Sequence, residues 1–89
     1  MAVTQEALEA LAAEVGTALE KRGWMLATAE SCTGGWVAQA MTAIAGSSAW
    51  FDRGFVTYSN VAKQAMLGVA AETLARHGAV SEAAVAEMA

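Results

Sequence analysis

Trp24-Met25-Leu26-Ala27-Thr28-Ala29 is an apolar run too short for an independent helix. It leads through the polar turn Glu30-Ser31-Cys32-Thr33-Gly34-Gly35 into a helical repeat, Trp36, Val37, Ala40, Met41 and Ile44. A strand passed to a helix by a glycine-bearing turn is the opening of a parallel βα unit. The run lacks apolar–polar alternation, which suits a strand covered on both faces by helices. The expected class is therefore α/β, with layered helices packed on a sheet.

The flanking sequence supplies the other layers. Residues 4–22 read as an amphipathic helix, with Thr4 as N-cap and Leu8, Leu11, Ala12, Val15, Ala18 and Leu19 at helical spacing. Glu6 and Glu9 suit its positive end, Lys21 and Arg22 its negative end, and Gly23 closes it. Ser47 to Asp52 reads as a connection carrying Trp50 and Phe51, and Gly54-Phe55-Val56-Thr57-Tyr58 as a second strand. Ser59 caps a short helix through Ala62, Lys63, Met66 and Leu67 that stops at Gly68. Residues 71–77 form another helix closed by Gly78, and Ser81 opens a last one that runs to Ala89. That last helix has about two turns, short of the common length of about 11 residues, so the chain is expected to be cut off inside an element.

Composition narrows the function. Eighty-nine residues without proline, linker or repeat bound the chain to one domain, 1–89. A hydrophobic fraction of 56% excludes a disordered acidic tail. The net charge of −4 argues against a nucleic-acid partner, which needs cations to neutralise phosphates. No run of about 18 apolar residues is present to span a membrane. Residues 1–20 carry Glu6, Glu9, Glu14 and Glu20 without a basic start, so no signal peptide is read and a cytoplasmic location is expected. One cysteine, Cys32, excludes an internal disulfide, and one histidine, His77, argues against structural zinc.

Chemistry is expected at the strand-to-helix turn, because ligands of open α/β sheets sit at the carboxyl ends of strands. Ser31 there could attack a carbonyl while following N–H groups hold the negative oxygen, or a serine or threonine could simply cap the helix. The turn could equally bind a phosphate at the helix N-terminus. Gly34 and Gly35 let a substrate approach the backbone. His77 lies in a helix C-terminal turn, where the dipole favours its charged form, so it is a poor base. Lys63, one turn into the helix after the second strand, is the better candidate. A free lysine titrates near 10.4, so service as a base near neutral pH requires a fall of roughly 3 pH units, about 4 kcal/mol. Tyr58 could relay a proton or orient the lysine. The alternative readings are a solvated helix lysine and a tyrosine at the core's edge. Cys32, with no partner base, reads as a small buried thiol. Asp52-Arg53 reads as an ion pair or a phosphate contact, and Trp24, Trp36, Trp50, Phe51 and Phe55 as core and interface anchors.

Thr28-Ala29-Glu30-Ser31-Cys32-Thr33-Gly34-Gly35 resembles the signature of the CinA C-terminal domain family, the nicotinamide-nucleotide amidases. Gly46-Ser47-Ser48-Ala49, the segment Asp52 to Asn60, Ala62-Lys63, Met66 to Val69 and His77 to Ser81 continue the resemblance in order. It implies deamidation of nicotinamide mononucleotide to nicotinate mononucleotide and ammonia, without a metal or redox cofactor. Ser31 would be the nucleophile, Lys63 the general base and Tyr58 an assisting catalytic residue, with Cys32, Thr33, Gly34 and Gly35 on the substrate side. It also implies a longer domain whose second half carries another glycine-rich segment, so residues 1–89 would be only its N-terminal half. Two other expectations stand beside the amidase: a non-catalytic nucleotide-phosphate-binding module, and an inactive fragment whose sheet edges favour a homodimer or aggregation.

Overall fold

The computed structural model describes residues 3–89. Helix α1, Gln5–Arg22, is framed as its sequence requires: the Thr4 hydroxyl accepts from the Ala7 N–H, and Gly23 closes the helix at φ 65°. Strand β1 follows over Leu26–Ser31, then helix α2 over Trp36–Thr42, a 3-10 turn over Ser47–Ala49, and strand β2 over Phe51–Thr57. Helices α3 (Asn60–Leu67), α4 (Ala71–His77) and α5 (Glu82–Met88) complete the described residues. Ser59 and Ser81 cap α3 and α5 by accepting from Ala62 and Ala84. The class is mixed α/β, as expected.

The two strands are parallel neighbours in the register Ala27↔Arg53, Ala29↔Phe55 and Ser31↔Thr57. Their carboxyl ends therefore lie side by side, and the turns into α2 and α3 leave from one edge of the sheet. Both strands begin elsewhere than the hydrophobic pattern suggests. β1 starts two residues late because Trp24 and Met25 are exposed connection, not sheet. β2 starts three residues early, taking in Phe51, Asp52 and Arg53, because ladder pairing with Leu26 and Ala27 tolerates polar side chains on an exposed strand. Asp52 and Arg53 form a 2.6 Å ion pair with both side chains exposed, worth little in water.

The sheet is covered on one face, not on both. Alternate side chains of β1 point to opposite sides. Glu30 and Thr28 face α2: Glu30 bonds its backbone, and a Cβ on Gly54 would meet both the Thr28 hydroxyl and Ala38. Behind that layer Ala12, Met41 and Trp50 make a buried cluster, with Leu19, Leu26 and Phe51 against it. Gly16 is what lets the Trp50 indole lie on α1, since a Cβ there would stand 2.5 Å from the ring. Trp50 is the buried anchor; Trp24 and Trp36 are exposed and so are not core residues. A second cluster, Val69, Leu74 and Ala84, joins α4 to α5. The opposite face of the sheet, bearing Ala27, Ala29, Ser31 and Phe55, looks into an open cleft between β1 and the α3 and α5 helices. The described residues supply helices to fill one side of the sheet and only the rim of the other.

Candidate active site

Ser31 ends β1 and Thr57 ends β2 directly beside it. The Thr57 hydroxyl is buried and donates 2.9 Å to the Glu30 carbonyl, fastening the two strand ends together. Past Ser31 the backbone turns sharply through Cys32, the one non-glycine residue at positive φ among the described residues (72°), and through Gly34 and Gly35 at 66° and 98°. A β-carbon is strained at such angles. Cys32 pays this strain in an exposed position, not the buried one its apolar character suggests. Its thiol lies 3.6 Å from the Ser31 hydroxyl.

The residue that organises this turn is Glu30, which the sequence reading treated only as part of the loop. It is 5% exposed, and its carboxylate accepts from the Val37 N–H at 2.8 Å, the Ala38 N–H at 2.9 Å and the Thr33 hydroxyl at 2.8 Å. Helix α2 has no side-chain cap of its own, since Gly35 stands at its N-cap position; Glu30 fills that function from the preceding strand. Burial alone would raise the carboxyl's affinity for its proton, but the bonds from Ala38, Val37 and Thr33 outweigh it and hold the group below its ordinary range. Glu87 does the same for α4, accepting from the Ala70 N–H and the Thr73 hydroxyl. An acidic residue just before a glycine-rich helix start was the available signal for Glu30.

Lys63 is 1% exposed, the largest fully buried side chain. It lies within α3 but turns back toward the end of β2, where Nζ donates 2.7 Å to the main-chain carbonyl of Tyr58. No carboxylate pairs with it among the described residues. The Tyr58 ring is 75% exposed, and its hydroxyl bonds nothing among the described residues. Tyr58 therefore touches Lys63 through its backbone.

The cleft measures ≈ 780 Å³. Ser31, Cys32 and Thr33 give it a polar corner, and Phe55, Met66, Leu67, Val80, Val85 and Met88 give it an apolar body. Lys63, Tyr58, Gly34 and Gly35 do not line it. The structure thus brings Ser31 and Lys63 to neighbouring strand ends without a hydrogen bond between them. His77 is exposed at the end of α4, far along the chain from this corner. Among the described residues no three His, Cys, Asp or Glu side chains stand close enough to hold a metal ion, and no helix is long and apolar enough to cross a membrane.

The model of the CinA C-terminal domain matches residues 8–89. The chain is 64% identical over 87 residues to the nicotinamide-nucleotide amidohydrolase PncC of Escherichia coli strain K12, covering 98% of this chain and 53% of that protein. It is 57% identical over 81 residues to a CinA-like protein of Syntrophobacter fumaroxidans, covering 91% of this chain and 19% of that one. Among solved structures, the competence/damage inducible protein CihA of Agrobacterium tumefaciens superposes with a TM-score of 0.89 at 52% identity, over 100% of this chain and 54% of that one. The competence damage-inducible protein A of Klebsiella pneumoniae gives 0.88 at 57% identity, over 91% and 50%. The chain spans about half the length of the PncC relatives it matches.

Proposed function

The chain belongs to the CinA C-terminal domain family, and from that premise we propose that it carries the nucleophile half of an amidohydrolase acting on nicotinamide mononucleotide. The observation that carries the reading is a serine at the open end of β1 together with a buried lysine of α3 whose amine is held at Tyr58, just past the end of the adjacent β2. The name of the 64% identical relative supports an amide of a nicotinamide nucleotide as the target.

In this reading Ser31 Oγ attacks the carboxamide carbon while the Lys63 amine takes the hydroxyl proton. The tetrahedral intermediate collapses as Lys63 returns that proton to the departing nitrogen, releasing ammonia and leaving an ester on Ser31. Water, deprotonated by the same amine, attacks the ester and frees the carboxylate and the serine. Thr33, Gly34 and Gly35 contribute N–H groups that donate to no backbone acceptor among the described residues and suit a developing oxyanion. Tyr58 assists by orienting the lysine through its carbonyl. A ligand-free nucleophile and base commonly stand outside bonding range and close around substrate, which accommodates the absence of a Ser31–Lys63 bond. The reading includes a cytoplasmic setting, a small-molecule partner and no nucleic acid, on the net charge of −4. It also includes pairing of two copies, since β1 and β2 each have one unpaired edge in the two-stranded sheet.

Glu30 weighs against the phosphate-binding alternative at the start of α2. An anion placed on the first N–H groups of α2 would meet a carboxylate already bonded there. The test is ammonia release from nicotinamide mononucleotide, expected to disappear in Ser31→Ala and Lys63→Ala proteins whose circular dichroism is unchanged. Tight nucleotide binding with no ammonia formed over hours would instead make this chain a binding module.

A further inference from the structure

We propose that Glu30 is a positioning residue, whose carboxylate locks the Cys32–Gly35 turn and thereby sets the direction of the Ser31 hydroxyl and of the turn's unpaired N–H groups. For its catalytic half the proposal rests on the reading of Ser31 as nucleophile; its structural half stands without it. Glu30 and Ser31 are consecutive in β1, so their side chains leave opposite faces of the strand. Glu30 points into the layer beneath α2, where it is almost wholly enclosed, while Ser31 points into the open cleft. One peptide unit thus connects a clamped side chain to the reacting one.

The clamp spans the turn from both ends. On the near side Glu30 Oε1 holds the Thr33 hydroxyl, inside the turn itself. On the far side the two carboxylate oxygens hold the Val37 and Ala38 N–H groups, in the first turn of α2. Its main-chain carbonyl is held in turn by Thr57 of β2. The residues between these anchors are those at positive φ, Cys32, Gly34 and Gly35, a conformation that persists only where its surroundings impose it. With the α2 donors satisfied by Glu30, the N–H groups of Thr33, Gly34 and Gly35 are the ones of this turn without a backbone acceptor. The carboxylate does not touch substrate in this scheme; it acts through the turn.

Glu87 provides a control, because it caps α4 with the same chemistry, one N–H and one threonine hydroxyl, and makes no bond to the Cys32–Gly35 turn. The experiment labels the full chain with a fluorophosphonate, which phosphonylates an activated serine with loss of fluoride. The rate at saturating probe is separated from the half-saturating concentration for wild type, Glu30→Gln, Glu87→Gln and Thr33→Val. The expected result is a saturating rate roughly 10- to 100-fold lower in Glu30→Gln, with half-saturation unchanged, a smaller fall in Thr33→Val, and no fall in Glu87→Gln. Backbone amide spectra should show the Cys32–Gly35 resonances broadened or displaced in Glu30→Gln and unmoved in Glu87→Gln. Equal losses in the two glutamate variants would overturn the proposal, since a general loss of stability would explain both. If wild-type Ser31 does not label at all, the nucleophile reading fails, and the amide spectra alone decide: an undisturbed turn in Glu30→Gln overturns the positioning role. Should Glu30→Gln not fold, Thr33→Val carries the same comparison with the charge and both backbone bonds intact.

Discussion

Lys63 Nζ donates a 2.7 Å hydrogen bond to the main-chain carbonyl of Tyr58 from an almost fully enclosed position. An amine with one bond and no carboxylate partner is an expensive thing to bury. Replacing it with the apolar near-isostere in Lys63→Met strands the Tyr58 carbonyl, at about 1–3 kcal/mol, and relieves the desolvation of the amine, a contribution of the same order and opposite sign. The two nearly cancel. Stability of Lys63→Met should therefore fall by no more than about 1 kcal/mol, while turnover falls more than about 100-fold. Urea unfolding and an ammonia assay on the same preparation check both halves; a protein that loses fold and turnover together would make Lys63 a structural residue.

Because the lysine is held by a backbone carbonyl, Tyr58→Phe should leave unfolding free energy within about 0.5 kcal/mol of wild type. The phenol is exposed and bonds nothing among the described residues. Any loss of turnover in this variant then measures a proton-relay contribution of the hydroxyl alone.

Gly16→Ala tests the packing of α1 on the core. Helix propensity favours the change by about 0.8–1.0 kcal/mol. A Cβ 2.5 Å from Trp50, with a second ring atom at 2.6 Å, must displace a buried indole, at about 1–3 kcal/mol. The clash should win, giving a net loss of stability and a shifted tryptophan emission. A stabilised Gly16→Ala protein would mean that the indole has room to move.

Thr28 carries the one buried side-chain polar atom without a partner among the described residues, pressed toward Gly54. Thr28→Val removes that unpaired hydroxyl at nearly constant volume and should stabilise the protein by about 1 kcal/mol. Thermal melts decide it; a lower midpoint would indicate that the hydroxyl has a partner.

Acid stability follows from Glu30. Its carboxyl is held below the ordinary value of 4.5 in the folded protein. The folded state therefore binds that proton less readily than the unfolded one. The associated stability is fully present above the unfolded value and disappears as pH falls through the lower, folded one. Glu87 is shifted in the same direction by Thr73 and Ala70. Unfolding followed from pH 7 to pH 3 should lose stability below about pH 4.5, with a shallower slope in Glu30→Gln. An equal slope in both proteins would assign the acid limb to other groups.

The element order was legible because its punctuation is local: Thr4, Ser59 and Ser81 cap, and Gly23 and Gly68 close, within a few residues of the helices they bound. Strand limits were less legible, since Trp24 and Met25 have the hydrophobicity of a strand but lie outside the ladder, and Asp52 and Arg53 lie inside it on an exposed edge. The site was half legible. Ser31 and Lys63 could be picked out as chemically capable groups, one at a strand end and one in the first turn of the helix after the next strand. Glu30 was signalled only by its place before a glycine-rich helix start; its importance lies in reaching Val37 and Ala38, seven and eight residues on, and a one-dimensional pattern does not say which turn folds back. Nor could the burial of Lys63 or the exposure of Cys32 be read from residue type, since both run against the average habit of their kind.

The most direct measurement is acid quenching of the protein with nicotinamide mononucleotide, followed by peptide mass spectrometry. The account predicts a nicotinate mononucleotide ester on the peptide containing Ser31, absent from Ser31→Ala. Ammonia released at an undiminished rate by Ser31→Ala, or a thioester found on Cys32, would contradict it.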